Sequence, residues 1–203
     1  AVADEEGVAK LSMRAVARRL GVEAMSLYHH VSNKDDLLDG MVDAVHEEFH
    51  SPVLGEDWAE QLRRRSRTAR EALKRHPWAV GMMDSRRTPG WASMAHHDAV
   101  LGCLLEAGFS LELTGHAFAL LDAHLYGFVV QEVALPFDGG GAELEEVAAG
   151  IMAALPEGTL PYFRRFALER ALQPGYDFGD EFDVGLDLVI EGLAARLAAE
   201  QSG

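Results

Sequence analysis

One cysteine, Cys103, stands in 203 residues, which excludes an internal disulfide and points to a reducing compartment. No apolar run approaches ~18 residues without a polar interruption, and no basic-then-apolar leader is visible. Neither a membrane span nor secretion is therefore expected, and the cytoplasm is the expected location. Alternating apolar and polar runs of the strand type are missing, and no segment repeats. The glycine-rich stretch 138–142 lacks the lysine of a phosphate-binding loop and reads as a flexible connection. No serine or cysteine nucleophile motif is present. Basic residues are also in deficit: 18 Lys and Arg face 33 Asp and Glu, for a net charge of −15. Such a balance argues against non-specific adhesion to nucleic acid.

What is present is 48% apolar content, enough to bury a sizeable core in a chain of this length. The apolar residues recur with helical spacing throughout. Residues 10–34 reverse the charge balance, because Lys10, Arg14, Arg18, Arg19 and Lys34 face only Glu23. Local potential decides here, since exposed charges beyond ~8–10 Å are largely screened. The same stretch reads as two short helices around a glycine, followed by a longer helix. Ser12 caps the first, with Leu11 placed to staple onto Val16, and Val16, Ala17 and Leu20 form its inward stripe. Gly21 supplies the turn. The second, about 24–30, presents Ala24, Met25, Ser26, Tyr28 and His29 while Leu27 and Val31 point back into a small core. Asn33 caps the third, with Asp35 and Asp36 complementing its dipole. This is the layout of a helix-turn-helix reader of duplex DNA, whose second helix enters the major groove. Ser12, Arg14 and Lys34 are placed for phosphates or a base edge, Glu23, Ala24, Met25, Ser26 and His29 for exposed recognition positions.

The string L-S-M-R-x-V-A-x-x-L-G-V-x-x-x-S-L-Y-x-H-V-x-N-K-x-x-L-L, Leu11 to Leu38 here, closely resembles the tetracycline-repressor (TetR) family of bacterial one-component regulators. W-A-E-Q-L (58–62), R-H-P-W (75–78), E-A-G-F-S-L-E (106–112), L-Y-G-F-V-V-Q-E (125–132) and F-D-V-G-L-D-L-V-I-E-G-L (182–193) look like landmarks of the tetracycline-repressor subgroup's C-terminal domain. The resemblance covers nearly the whole chain. It implies a helix-turn-helix DNA-binding domain over 1–50, of whose first helix only the last turn is present, and a ligand-binding and dimerisation domain over 51–203. It also implies phosphate-anchoring roles for Tyr28 and Lys34. The expected fold is all-α, about nine to ten helices.

Further helices are expected near 35–50, 57–76, 91–107, 111–134, 143–155, 160–171 and 181–200. Helix 111–134 is apolar on almost every side and must be covered on all of them. Helix 182–197 carries a stripe of Phe182, Leu186, Val189, Ile190, Leu193 and Leu197, with Gly185 and Gly192 allowing close approach. Pairing both with their copies gives the four-helix homodimer interface that the resemblance implies. A two-fold dimer would read a near-palindromic operator.

An apolar interior with few polar groups suits a small-molecule pocket. Trp58, Leu62, Ala69 and Leu73 form a seam on helix 57–76, interrupted by Arg65 or Ser66. On helix 111–134, His116, His124 and Gln131 share an arc of roughly 80°. Met82, Met83, Trp91, Val100, Leu104 and Phe118 are apolar lining candidates. In the tetracycline-binding members of the family, a drug-contacting histidine aligns with His50 and an acid near the magnesium site with Gln131. Arg65 replaces a polar amide, and Met83 falls near the magnesium-binding histidine. A thioether is a poor exchange for Mg²⁺, so a different effector, bound without magnesium or another cofactor, is expected. An inward Arg65 would favour an anionic one. The run Arg63, Arg64, Arg65, Arg67, Arg70, Lys74 and Arg75 reads as a solvated face with ion pairs.

A competing reading comes from His46-Glu47-Glu48-Phe49-His50, which matches H-E-x-x-H, the spacing of a zinc-dependent hydrolase. Against it, the helix is expected to stop at Ser51-Pro52, and no G-x-x-H supplies a third ligand, leaving Glu71 as the nearest alternative. The reading adopted is a ligand-responsive repressor, not an enzyme, in which effector binding shifts the connecting helix 35–50 and changes the spacing of the two reading helices.

Overall fold

The computed structural model describes residues 1–203 except Asp84, Glu157 and Gly203. Among the described residues it has eleven α-helices and no strand. An N-terminal unit holds α1 (Val2–Glu6), α2 (Met13–Leu20), α3 (Ala24–Leu27) and α4 (Lys34–His46). The body holds α5 (Trp58–Arg75), α6 (Pro77–Val80), α7 (Trp91–Glu106), α8 (Leu111–Ala134), α9 (Gly141–Ala154), α10 (Pro161–Phe166) and α11 (Glu181–Ser202).

Side-chain caps set four of the starts. Ser12 accepts the Ala15 amide at 3.2 Å, Asn33 the Asp36 amide at 2.9 Å, Asp57 the Glu60 amide at 2.8 Å and Ser110 the Leu113 amide at 3.1 Å. Each satisfies one of the free N–H groups that open a helix. Gly21 ends α2 with φ of 70°, a left-handed conformation that a side chain would strain.

Two ends differ from expectation for one reason. α3 closes at Leu27 because the amides of Tyr28, His29 and His30 bond to carbonyls three residues back, and α4 closes at His46 because Glu48 and Phe49 do the same. That tighter pattern draws out the last turn of each helix. Leu20, expected in the inward stripe of α2, is 62% exposed. Met13 and Ala17, one turn apart, fill the small core instead.

α8 runs through the centre of the body against α5, α6, α7 and α11. By length and composition it could cross a membrane, but its buried face is the axis of the core. Leu113, Ala117, Leu121, Leu125 and Val129 point inward, while Leu111, Leu120, Val130 and Val133 remain exposed. α11 is divided likewise. Phe182, Leu186, Ile190, Leu193 and Leu197, the stripe assigned from sequence to a partner copy, are buried within the chain. The outward face is instead Val184 and Leu188. Gly185 serves the chain's own packing, since a Cβ there would lie 2.5 Å from the His124 ring. A groove of about 860 Å³, lined by Leu120, His116, Leu188 and Gly192 among others, separates the outer faces of α8 and α11.

The basic run on α5 is not a merely solvated face. Arg63 pairs with Asp187 and Arg67 with Asp183 of α11, each at 2.7 Å, and Arg70 and Lys74 share Glu132 of α8 at 2.6 and 3.0 Å. Arg65 turns inward, 2% exposed, and pairs with Asp122 of α8 at 2.7 Å. A charge so deeply buried is tolerable only when paired and hydrogen-bonded. Asp122→Ala is therefore expected to destabilise the protein by roughly 3–5 kcal/mol, and the joint replacement Arg65→Met with Asp122→Leu to recover most of that. Urea unfolding of the three proteins checks this; equal losses in the single and double variants would refute it.

Candidate functional site

The N-terminal unit presents a basic and apolar face. Met25 is 74% exposed at the tip of α3, beside exposed Glu23, Tyr28 and His29, with Ala24 half-buried. Ser26 donates its hydroxyl to the Glu23 carbonyl at 2.6 Å, which leaves its lone pairs outward. Ser12 and Lys34 open α2 and α4 on either side of α3, and Arg14 lies in the first turn of α2, exposed. Arg14, Arg18 and Lys34 have no ion pair among the described residues, whereas Arg19 is held by Glu5 at 2.5 Å. The cations free to meet phosphates thus flank a helix whose side chains are free to meet bases.

α4 joins this face to the body, and two of its carboxylates do the joining. Asp43 accepts the amides of Ser93 at 2.7 Å and Ala92 at 3.2 Å, closing the N-terminus of α7 from outside. It occupies the space that Gly90, the N-cap residue, leaves open; a Cβ at Gly90 would stand 2.2 Å from the Asp43 carboxyl carbon. Burial pushes the Asp43 carboxyl up, but the two amides outweigh it and hold it below its usual range. One turn earlier, Asp39 accepts the Thr88 hydroxyl at 2.6 Å and pairs with Arg86, and these two bonds depress its pKa. Arg86 also donates to the Asp35 carbonyl at 3.1 Å. A third tie runs from α1, where Asp4 accepts Trp78 Nε1 at 2.6 Å and lies 2.7 Å from His76.

Behind α4 the interior is polar. His46, 3% exposed, donates from Nδ1 to the Val42 carbonyl at 3.1 Å, with the Ser93 hydroxyl 2.9 Å from the same nitrogen. His96 accepts at Nε2 from Arg65 Nε at 3.1 Å. That donation fixes the tautomer, so the proton sits on Nδ1, which has no partner among the described residues. Ser66 Oγ and Thr114 Oγ1 are likewise buried and unpartnered. Burial, reinforced by Arg65, drives the His96 pKa down to about 3, and burial lowers that of His46 too. Both rings are neutral at neutral pH.

The zinc reading fails on geometry. His46 is engaged by Val42 and Ser93, while His50, beyond the helix end, donates from Nε2 to Gln61 Oε1 at 2.7 Å. Glu71 is exposed on α5, and among the described residues no three His, Cys, Asp or Glu side chains are arranged to hold a metal ion.

A cavity of about 460 Å³ lies between α7 and the segment that precedes it. Met83, Pro89, Met94 and Leu101 give it apolar walls, and Arg86, Ser93, His97 and Asp98 its polar groups. Of the residues expected to contact a ligand, Met83 lines this cavity, and Phe118 packs on the His97 ring with centroids 5.2 Å apart. Ala69, Val100 and Leu104 are buried in the core, with Met82 half-buried against it, and none of them lines the cavity. Arg65 and His50 belong to the polar interior. Gln131 and His116 are exposed on the outer side of α8, away from the cavity, and His124 is turned to the Phe182 carbonyl at 3.0 Å. Trp91, 82% exposed, lines nothing. Sequence reasoning missed Asp39, Asp43, Arg86, Ser93, His96 and Asp122. Two signals were available: carboxylates four apart on one helix face, and an acid in the middle of an apolar helix.

Residues 1–41 match the family described as "Bacterial regulatory proteins, tetR family", and residues 51–197 that described as "Tetracyclin repressor-like, C-terminal domain". An HTH-type transcriptional regulator of Saccharopolyspora erythraea is 32% identical over 97% of this chain and 81% of its own. The class A tetracycline repressor protein from transposon 1721 of Escherichia coli is 32% identical over 95% and 85%. Among solved structures, the Streptomyces coelicolor TetR family protein ActR in complex with actinorhodin superposes with a TM-score of 0.76 at 27% identity, covering 97% and 92%.

The neutral histidines carry a sign for pH dependence. Their folded pKa values lie below the unfolded value near 6.5, so the unfolded chain binds protons first as pH falls. The stability that His96 contributes is fully present above pH 6.5 and is lost toward pH 3, by up to about 1.4 kcal/mol per pH unit, and His46 acts in the same direction. Carboxylates with depressed pKa values add to the loss only below about pH 4. Between pH 6.5 and 5 the slope of unfolding free energy is expected to flatten in His96→Asn. An unchanged slope would show that His96 titrates normally.

Proposed function

The chain belongs to the tetracycline-repressor (TetR) family of regulators, and on that premise we propose that it is a ligand-responsive transcriptional repressor. It binds a near-palindromic operator as a homodimer and leaves it when a small molecule occupies the body. The observation that carries this reading is the double attachment of α4. One helix holds the DNA-reading unit at its N-terminal end and, through Asp39 and Asp43, the wall of a drug-sized cavity along its side. Any ligand that prefers a different position of that wall shifts α4 with it, and it can do so only by that difference in preference. Couplings of this kind are commonly about 1–3 kcal/mol. The unpartnered polar atoms of Ser66, His96 and Thr114 support a ligand-accepting interior, since buried donors and acceptors are ordinarily satisfied.

Homodimerisation is supported by the outward apolar faces of α8 and α11, with Leu120 and Leu188 exposed along the groove between them and Leu111, Val130 and Val184 exposed elsewhere on the two helices. Faces of this extent are rare on monomers. Two-fold pairing would place two copies of α3 about 34 Å apart, one turn of duplex DNA. Tyr28 and Lys34 then anchor phosphates, and Met25 and Ala24 meet thymine methyl groups.

Selection of bound duplexes from a random pool, followed by release with a small-molecule panel, tests the reading. Recovery of one inverted-repeat sequence is expected, and retention of no duplex at low salt would overturn it. Lys34→Ala should weaken binding to all sequences and lower the slope of log K against log salt by about 1; an unchanged slope removes Lys34 from the phosphate contacts. Leu188→Glu should sediment as a monomer and lose operator binding, whereas a dimeric variant would move the interface elsewhere.

A further inference from the structure

The chemistry of the effector can be taken further from the charges around the 460 Å³ cavity. Among the described residues, Asp98 lines it, and three more carboxylates, Asp35, Asp39 and Asp43, stand behind its wall. Three are committed. Asp39 holds Arg86 and Thr88, Asp43 holds the amides of α7, and Asp35 lies 3.6 Å from Arg86. Arg86, the one arginine or lysine in the lining among the described residues, is thereby doubly paired, and Arg87 is exposed outside the lining. The other polar groups are neutral or turned to their own helix. Ser93 Oγ faces His46, and His97 Nδ1 donates to the Ser93 carbonyl at 2.7 Å. Asp98 alone lines the cavity with no ion pair or hydrogen bond among the described residues.

We propose that the effector is an organic cation, an amine or quaternary nitrogen carried on an apolar ring body, bound in this cavity with its positive charge against Asp98. This rests on the ligand-responsive reading above and names the ligand class for it. A cation neutralises Asp98 without breaking an existing pair. An anion would have to take Arg86 from Asp39 while remaining beside the unpaired Asp98. The apolar walls suit the ring body, because Met83 and Met94 adapt to flat surfaces through their thioethers. Arg65 provides no anion site to oppose this, since Asp122 already neutralises it. Occupancy is also felt where it matters. Arg86 and Ser93 both line the cavity and both belong to the contacts that hold α4.

Fluorescence titration of the intact chain, without DNA, tests this with two dyes of similar size: proflavine, a flat cation, and 8-anilinonaphthalene-1-sulfonate, an anion. Proflavine is expected to bind about tenfold or more tightly than the anion. Asp98→Asn should weaken proflavine about three- to tenfold, the scale of one partly exposed ion pair, and leave the anion unchanged or tighter. Asp138→Asn, an exposed carboxylate outside this cavity, should alter neither dye. Anion binding as tight as cation binding, an Asp98→Asn variant that binds proflavine normally, or binding of neither dye would each overturn the proposal. Duplex selection without dye is run in parallel. Its failure would overturn the repressor reading, whereas its success with failed dye binding would overturn only the cationic effector.

Discussion

The contact on which the rest depends is the carboxylate of Asp43 set against the open end of α7. A helix N-terminus exposes amides that nothing within the helix can satisfy, and at Gly90 this one lacks a side chain of its own to cap it. The missing side chain is what admits a carboxylate from α4. The bond is favourable twice over, through hydrogen bonding and through the helix dipole. It also fixes the distance between the DNA-reading unit and the sensing body at one point, and Asp39 with Arg86 and Thr88 fixes it at a second. With Asp4 on Trp78 and His76, carboxylates of the N-terminal unit hold the body at the start of α6, at Arg86 and Thr88, and at the start of α7.

Inside the body, electrostatics is settled by pairing rather than by exposure. Arg65 keeps its charge because Asp122 is within 2.7 Å, and His96 and His46 give theirs up because nothing compensates it. Four further arginines or lysines of α5 bind carboxylates of α8 and α11, so the same helix that looks uniformly basic holds three helices in register. An interior organised in this way is polar yet uncharged overall. It can hold hydrogen-bonding groups of a ligand without the large desolvation cost of an unpaired ion.

Much of this was legible in the residues. The caps at Ser12 and Asn33 and the turn at Gly21 placed the reading unit, and helical spacing placed the helices of the body. The helix ends at Leu27 and His46 were overestimated because apolar spacing continues past the point where hydrogen bonding tightens. The stripe on α11 was found, but its direction was not. A helix apolar on two faces carries no mark in its own sequence to say which face is internal, and only packing against α8 decides. The cavity was hardest to see. Its polar groups come from a segment of α7 and the chain before it whose roles depend on partners in α4. The inward turn of Arg65 was left open by its place in a basic run, and the cancelling of its charge was not foreseeable, since Asp122 lies 57 residues away.

The four aspartates of α4 have one more bearing, on how the molecule acquires its shape. Asp35, Asp36, Asp39 and Asp43 crowd like charges onto a thirteen-residue helix that also contains Gly40. Like charges a turn apart and an interior glycine both work against a helix standing alone. Such a segment gains order mainly from the groups that dock on it. α4 is therefore expected to acquire its order only when the body is there to receive it, which couples the folding of the DNA-reading unit to that of the rest of the chain.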